Sequence, residues 1–256
     1  MDLKFFKYQG TGNDFIMIDN RKKFFDTANT DLVKFLCDRR FGVGGDGFIL
    51  LEEHPDYDFQ MVYFNSDGNQ SSMCGNGGRC IVQFASDMGV IGNETSFLAI
   101  DGPHDAYIED GLVHLKMIDV DAVETGDGFY FLNTGSPHYV QYVQKIKDFA
   151  VYEEGYKVRN NERFRKEGTN VNFIEKDGDR LWVRTYERGV EDETYSCGTG
   201  VTASALVASL QGMKSPIPVT TLGGDLSISF QKADEGYKDI YLIGPAKQVF
   251  EGIIKI

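Results

Sequence analysis

One pattern occurs twice in this chain. Residues 63–87 read YFNSDGNQSSMCGNGGRCIVQFASD, and residues 186–211 read YERGVEDETYSCGTGVTASALVASLQ. Each copy runs from an aromatic residue that ends an apolar segment, through a polar turn, to Cys-Gly-x-Gly at the start of a helical pattern. Tyr63 to Cys74 and Tyr186 to Cys197 are both steps of eleven, and Cys197 lies 123 residues beyond Cys74 in a chain of 256. The same step carries Gly12-Asn13 onto Gly135-Ser136, and Gly45-Asp46-Gly47 onto Gly168-Thr169-Asn170. A period this long indicates a duplicated domain, because solenoid repeats are much shorter. Such a chain is restricted to two like scaffolds with two like cysteine sites. If the halves pack face to face, the cysteines can oppose each other across one cleft.

Local patterns fill in the scaffolds. Residues 3–8 and 15–19 read as strands flanking the loop Gly10-Thr11-Gly12-Asn13, and Asn29 or Thr30 can cap a helix carrying Leu32, Val33, Phe35 and Leu36. A glycine-rich turn over residues 42–47 leads into a short buried strand, and residues 58–64 alternate as another. The helical pattern after Gly77 puts Cys80, Ile81, Phe84 and Met88 on one face and closes at Gly89. Residues 96–118 give two or three short strands, with turn signals at Asp101-Gly102 and Asp110-Gly111. The second half repeats this plan: a strand before residue 143, a weaker helix over 148–160, strands at 171–174 and 181–186, a helix over 199–210, strands at 219–222, 226–230 and 240–243, and a last strand at 252–256. The polar, acidic residues 119–128 mark the boundary. The expected fold is an α/β chain with mixed α+β sheets: two pseudo-symmetric duplicated domains, residues 1–120 plus 249–256 and residues 121–248, each a curved mixed sheet around a central helix, with the active site in the cleft between them.

Charge excludes some roles. With 26 Lys and Arg against 39 Asp and Glu, the net charge is −13. Nucleic acids and anionic membrane surfaces demand clustered cations, so neither is an expected partner. No apolar run reaches the length of a membrane span, the start MDLKFFKYQG lacks a signal-peptide layout, and a cytoplasmic protein is the expectation. The cysteines are Cys37, Cys74, Cys80 and Cys197, with no C-x-x-C pair. That spacing offers no zinc or redox motif, and reduced thiols are expected. Cys37 and Cys80 lie on apolar faces and read as core.

Cys74 and Cys197 differ from those two in standing at helix mouths. The first N–H groups of a helix have no partner within it, and its dipole favours negative charge there. The thiol pKa is expected to fall, and the amides of Gly75-Asn76 and Gly198-Thr199 can bind a carboxylate or a developing oxyanion. Two thiols with two anion-binding helix ends suit inversion at an amino acid's α-carbon. One thiolate removes the α-proton, the other thiol returns a proton to the opposite face, and neither metal nor cofactor is called for. A nucleophilic Cys–His pair with His138 as base is the rival, and it leaves one cysteine unexplained.

Gly10-Thr11-Gly12-Asn13-Asp14-Phe15, Asn65-Ser66-Asp67-Gly68, Cys74-Gly75-Asn76-Gly77-Gly78-Arg79-Cys80, Gly135-Ser136-Pro137-His138, Tyr186-Glu187-Arg188-Gly189 and Ser196-Cys197-Gly198-Thr199-Gly200 together resemble the diaminopimelate epimerase family. The resemblance implies interconversion of LL- and meso-diaminopimelate without pyridoxal phosphate, on the route to lysine and peptidoglycan precursors, in a cytoplasmic homodimer whose partner is a small-molecule substrate. It implies that Cys74 serves the L configuration and Cys197 the D, and that the C-terminal strand returns to the first half. It places Asn13 near the reacting centre, gives Asn65, Asn170, Glu187 and Arg188 the distal amino-acid head, and makes Gly75, Asn76, Gly198 and Thr199 the cradle of the reacting carboxylate. Arg suits the distal carboxylate through a bidentate fork, and Glu suits the distal ammonium. Two positions depart from the family pattern: Ser136 stands where Asn is usual, and Gly47 where some members have Gln. His138 either positions a cysteine or packs. A racemase of proline, hydroxyproline or histidine type shares Cys-Gly-Thr-Gly, but a single-headed substrate needs no Glu187-Arg188 clamp. A non-catalytic amino-acid binder and a disulfide-linked structural protein complete the alternatives.

Overall fold

The computed structural model describes residues 2–256, which divide into two compact units: the chain up to Leu115 together with Pro245–Ile256, and Lys116–Gly244. In the first unit, strands β1 (Asp2–Gly10) and β2 (Asn13–Asp19) form a hairpin. Helix α1 (Thr30–Cys37) then leads to β3 (Gly47–Glu52), which lies parallel to β2 and antiparallel to β4 (Phe59–Asn65). Helix α2 (Gly75–Asp87) precedes β5 (Glu94–Ala99), β6 (Gly102–Glu109) and β7 (Leu112–Lys116); β5 runs parallel to β4, and β5, β6 and β7 pair antiparallel in order. The C-terminal β17 (Lys247–Lys255) pairs antiparallel with β1.

Side chains of a strand alternate between faces, and the two helices use the two faces. Ile16, Ile18, Phe48 and Leu50 join Val33 and Leu36 of α1 in one cluster. Phe15, Ile49 and Met61 face α2, where Cβ positions built at Gly77 would lie 3.3–3.6 Å from them. Asn29 starts α1 by accepting the Leu32 N–H on its side chain at 3.0 Å. The strand β3 is buried along its whole length, which explains its unbroken GFILL run.

The second unit repeats this order. Strands β8 (Glu124–Thr125) and β9 (Tyr130–Asn133) pair antiparallel, and β9 pairs with β10 (Pro137–Tyr142). Helix α3 (Val151–Arg159) follows. Then come β11 (Asn170–Asp177), parallel to β10, and β12 (Arg180–Glu187), antiparallel to β11 and carrying the short β13 (Asp192–Thr194). Helix α4 (Gly198–Leu210) precedes β14 (Ile217–Thr221), which lies parallel to β12, and β15 (Gly224–Lys232) and β16 (Tyr237–Gly244) complete an antiparallel run. Both α2 and α4 contain 13 residues, and their ends are displaced by the same 123 residues as the cysteines. Helix α4 is built from Ala, Val, Leu, Ser, Thr and Gly and is buried nearly all round, as a helix without a polar face must be. Its Thr202 and Ser204 hydroxyls are satisfied by the carbonyls of Gly198 and Gly200.

Three local expectations shift. The acidic stretch read as a boundary contains β8. The strand β13 carried no apolar signal. The weak helix starts at Val151 because residues 146–148 form a separate 3₁₀ turn, with the Lys145 and Ile146 amides donating to the Glu175 carboxylate. The repeat also slips by one residue at β12. Phe48 pairs with Phe64, whereas Val171 pairs with Tyr186, one short of the 123-residue step. A slip of one residue turns a side chain to the other face. Tyr63 therefore packs edge-on against Phe15 on the α2 side, while Tyr186 joins Val151, Phe164 and Phe173 in the α3 cluster.

Candidate active site

Cys74 is the residue that caps α2, in extended conformation with its sulfur 3.4 Å from the Gly77 N–H. Cys197 caps α4 in the same extended conformation, with its sulfur 3.5 Å from the Thr199 hydroxyl. Cys37 and Cys80 are buried in the first unit, and burial pushes both thiols up to about 12. Such thiols stay protonated and take no part in acid–base work at neutral pH.

Around Cys74 a connected set of side chains fixes one amide. The Asn13 Nδ2 donates to the Asp46 carboxylate at 2.6 Å. A carboxylate only accepts, so the Asn13 Oδ1 must point the other way, where it receives the Asn76 Nδ2 at 3.4 Å and lies 3.7 Å from the Cys74 sulfur. Asp46 is held by Arg39, and Arg39 with Lys7 also grips Asp14. Burial raises the Asp14 pKa, but the bonds and charges of Arg39 and Lys7 outweigh it and hold this carboxyl well below the usual range. Lys7 also donates to the Gly44 carbonyl.

Beneath Asn76 sits Arg79, fully buried inside α2's own unit. Its Nη2 donates to the Asn76 Oδ1 at 3.0 Å and to the Thr11 hydroxyl at 3.1 Å, and its Nη1 to the Gly75 carbonyl at 3.2 Å. These acceptors are neutral. Burial lowers its pKa from the ordinary value, and the neighbouring Cys80 and Cys74 thiols work in the opposite direction. Nothing in the sequence pattern marks Arg79 as buried.

The second unit gathers Ser136, Asn170 and Arg188. The Asn170 Nδ2 donates to the Ser136 hydroxyl at 3.1 Å and to the Pro137 carbonyl at 3.3 Å, and its Oδ1 accepts the Arg188 amide at 2.9 Å. The Arg188 guanidinium reaches the Glu167 carbonyl at 3.0 Å and the Ser136 hydroxyl at 3.3 Å. The shorter side chain at Ser136 thus still bridges Asn170 and Arg188. Glu187 accepts the Thr194 hydroxyl at 2.9 Å. Asn65 belongs to the first unit, at the end of β4 opposite Gly47. Any side chain at Gly47 would meet the Tyr63 ring, 2.6 Å from a built Cβ.

Behind Cys197 the support comes from the sheet. His138 is fully buried, its Nε2 is 2.9 Å from the Thr199 hydroxyl, and its Nδ1 is 3.1 Å from the Asn172 Nδ2. Burial, with the Arg188 charge adding to it, pushes the imidazole pKa down to about 3. His138 is therefore neutral at physiological pH. Asn172 also donates to the Tyr139 carbonyl at 2.9 Å and accepts the Thr185 hydroxyl at 2.9 Å. Gly200 lets α4 approach this group: a Cβ there would lie 2.3 Å from the Asn172 Oδ1. Gly75 and Asn76 open α2, Gly198 and Thr199 open α4, and the Thr199 carbonyl accepts the Thr134 hydroxyl at 2.8 Å. Among the described residues no group of three or more His, Cys, Asp or Glu could hold a metal ion. Among the described residues no helix is long and apolar enough to cross a membrane.

The profile of the diaminopimelate epimerase family matches residues 5–110 and 130–249. Relatives named diaminopimelate epimerase include one from Flavobacterium psychrophilum, 50% identical over 256 residues that cover 98% of this chain and 100% of its own. Another, from Aquifex aeolicus, is 40% identical and covers 98% and 97%. Among solved structures the fold is similar to a PhzF-family phenazine biosynthesis protein of Bacillus anthracis (TM-score 0.79, 12% identity, all of both chains). It is also similar to a hydroxyproline epimerase of Agrobacterium vitis (TM-score 0.70, 14% identity, 99% and 92% covered).

Proposed function

The chain belongs to the diaminopimelate epimerase family, and from that premise we propose that Cys74 and Cys197 are the acid and base that invert one α-carbon of diaminopimelate. The observation that carries this reading is the repetition of a cysteine as the cap of a central helix, once in each unit, with helices of identical length. In the sense LL to meso, the Cys74 thiolate takes the α-proton and becomes a thiol. The electron pair left on carbon spreads into the carboxylate, whose oxygens meet the first amides of the helices. The Cys197 thiol then gives its proton to the opposite face and is left as thiolate. The reverse reaction exchanges the roles, and solvent resets the pair.

Asn13 lies beside the Cys74 sulfur and accepts from it or from Asn76, which suits a contact near the reacting carbon. Asn170, Glu187 and Arg188, with Asn65 of the first unit, are assigned the distal head, and Ser136 holds Arg188 and Asn170 together in place of the family's usual Asn. Binding of the remote head orients the reacting carbon, and this is how a site without an electron sink gains rate. The resemblance also supports a cytoplasmic homodimer, a state that light scattering of the purified protein measures.

Incubation with LL-diaminopimelate in D2O, followed by chiral separation and proton NMR, tests the reading. The meso product is expected to carry deuterium at the inverted carbon from the earliest times, while recovered LL substrate stays protiated. Deuterium appearing in recovered substrate as fast as in product would remove the two-base reading.

A further inference from the structure

The polar group behind Cys197 has a direction that individual distances do not give. The Tyr139 carbonyl can only accept, so the Asn172 atom facing it at 2.9 Å is the NH2 nitrogen. The Thr185 hydroxyl on the other side meets the Asn172 oxygen, consistent with that orientation. The same NH2 faces the His138 Nδ1 at 3.1 Å, so this ring nitrogen is the acceptor. A buried neutral imidazole with an accepting Nδ1 carries its proton on Nε2. The Nε2–H then points at the Thr199 oxygen at 2.9 Å, and Thr199 receives that bond. The Thr199 hydrogen is left to donate elsewhere, and the Cys197 sulfur lies 3.5 Å away.

We propose that Asn172 and His138 form a one-way hydrogen-bond relay that aims the Thr199 hydroxyl hydrogen at the Cys197 sulfur and so stabilises its thiolate. His138 is on this account a positioning residue and not a base. Asn172 is the residue that sets the direction, and Thr185 holds Asn172. The inference rests on Cys197 being one of the acid–base pair, but its readouts do not need turnover. Burial keeps His138 unprotonated, and Arg188, the charged group that faces the relay, adds to that effect.

Two measurements test it. The chain has four histidines, so the 15N signals of His138 can be assigned by their loss in His138→Gln. The expected pattern is a bare Nδ1 and a protonated Nε2 that do not titrate between about pH 6 and 9. A protonated Nδ1 in this range overturns the relay. The second measurement is the iodoacetamide alkylation rate of each cysteine at neutral pH, read by peptide mass spectrometry. Thr199→Val keeps the shape of the side chain and removes the donor, so alkylation of Cys197 should fall about tenfold with Cys74 unchanged. Thr199→Ser should stay within about threefold of wild type, because it keeps the hydroxyl. Asn172→Asp turns the donor facing Nδ1 into an acceptor, moves the proton to Nδ1, and should slow Cys197 as Thr199→Val does. If Asn172→Asp fails to fold, the valine and serine pair decides alone. Unchanged Cys197 reactivity in Thr199→Val, or an equal fall at Cys74, sinks the proposal. Full epimerisation by Cys197→Ala would instead remove the acid–base reading while leaving the tautomer measurable.

Discussion

The cysteine sites of the two units share a backbone and draw their polar support from opposite directions. In the first unit the support rises from the helix: Arg79 is buried in α2 and holds Asn76, which reaches Asn13 beside Cys74. The sheet below contributes the apolar Phe15 and Ile49. In the second unit the positions one repeat later are His138 and Asn172, so the sheet supplies the polar group, and the helix carries Thr202 where α2 carries Arg79. One unit buries a cation, and the other buries a neutral relay. The duplication therefore preserved what sets the position of the sulfur, which is the cap and the helix, and left free what sets its charge. Catalysis in both directions asks for two thiols of matched acidity, and two different environments can meet that demand.

The sharpest way to break the comparison is to remove one sulfur at a time. Cys74→Ala and Cys197→Ala are each expected to lose epimerisation by about 10³-fold or more, since a positioned acid or base contributes about 10²–10⁴-fold and both are needed at once. The variants should still differ. Cys197→Ala keeps the base for the L centre and should exchange the α-proton of LL-diaminopimelate slowly with D2O without inversion, while Cys74→Ala should exchange only the D centre of the meso compound. NMR of recovered substrate reads both. Identical exchange preferences in the two variants would mean that the cysteines are not assigned to opposite faces.

Next in size is the proposed distal clamp, whose residues Asn170, Glu187 and Arg188 belong to the second unit. Arg188→Ala removes a guanidinium positioned by Ser136 and Glu167. It is expected to lower kcat/KM for diaminopimelate by about 10²-fold, with kcat falling as KM rises, because remote binding orients the reacting carbon. Steady-state kinetics separates the two. An effect on KM alone would leave Arg188 as a binding residue without an orienting role.

Much of this was legible in the sequence, and the exceptions share a cause. The cysteines at the two helix mouths and the helices that they open followed from glycine spacing and periodicity. Arg79 did not, because an arginine reads as a surface residue, and only the packing of α2 inside its sheet shows it buried. Asn172 did not, because a polar residue between Val171 and Phe173 reads as the solvent side of a strand. Here that face is covered by α4. The face reversal of Tyr186 relative to Tyr63 was hidden as well, since a register slip leaves the sequence step unchanged. Each exception concerns which face a neighbouring element covers, and that is tertiary information.

Acid should separate the units. His138 has a folded pKa of about 3 against an ordinary value of 6.5. As pH falls below about 6.5 the unfolded chain takes up a proton that the folded chain refuses. Stability is then fully present above that pH and declines toward about 3, at about 1.4 kcal/mol per pH unit for one proton. At pH 5 the loss is about 2 kcal/mol. Asp14 of the first unit has a depressed pKa, so its contribution is present above the ordinary carboxylate value of 3.8 and is lost only as pH falls further. Hydrogen exchange, corrected for the intrinsic pH dependence of the rates, should show β10, β11 and α4 loosening between about pH 6.5 and 5 while β2 and β3 stay protected. His138→Gln should flatten the response of the second unit. Joint loosening of both units near pH 6 would assign the acid sensitivity to another group, such as His114 of the first unit, whose pKa burial also lowers.

The smallest effect probes the buried cation itself. Arg79 lies in its unit without a carboxylate on it, and the Cys74 sulfur is among the groups that feel its charge. A guanidinium in low dielectric favours a thiolate nearby. Arg79→Met keeps most of the volume and removes the charge. It should slow alkylation of Cys74 at neutral pH about tenfold and leave Cys197 unchanged, the mirror image of Thr199→Val. The substitution also strips donors from Asn76, Thr11 and the Gly75 carbonyl, so Tm should fall. Arg79→Lys distinguishes the two roles: it returns a cation with fewer donors and should recover Cys74 reactivity more fully than Tm. If Cys74 alkylates at the wild-type rate in Arg79→Met, the guanidinium is a strut for Asn76 and the contrast between the two sites is one of packing and not of charge.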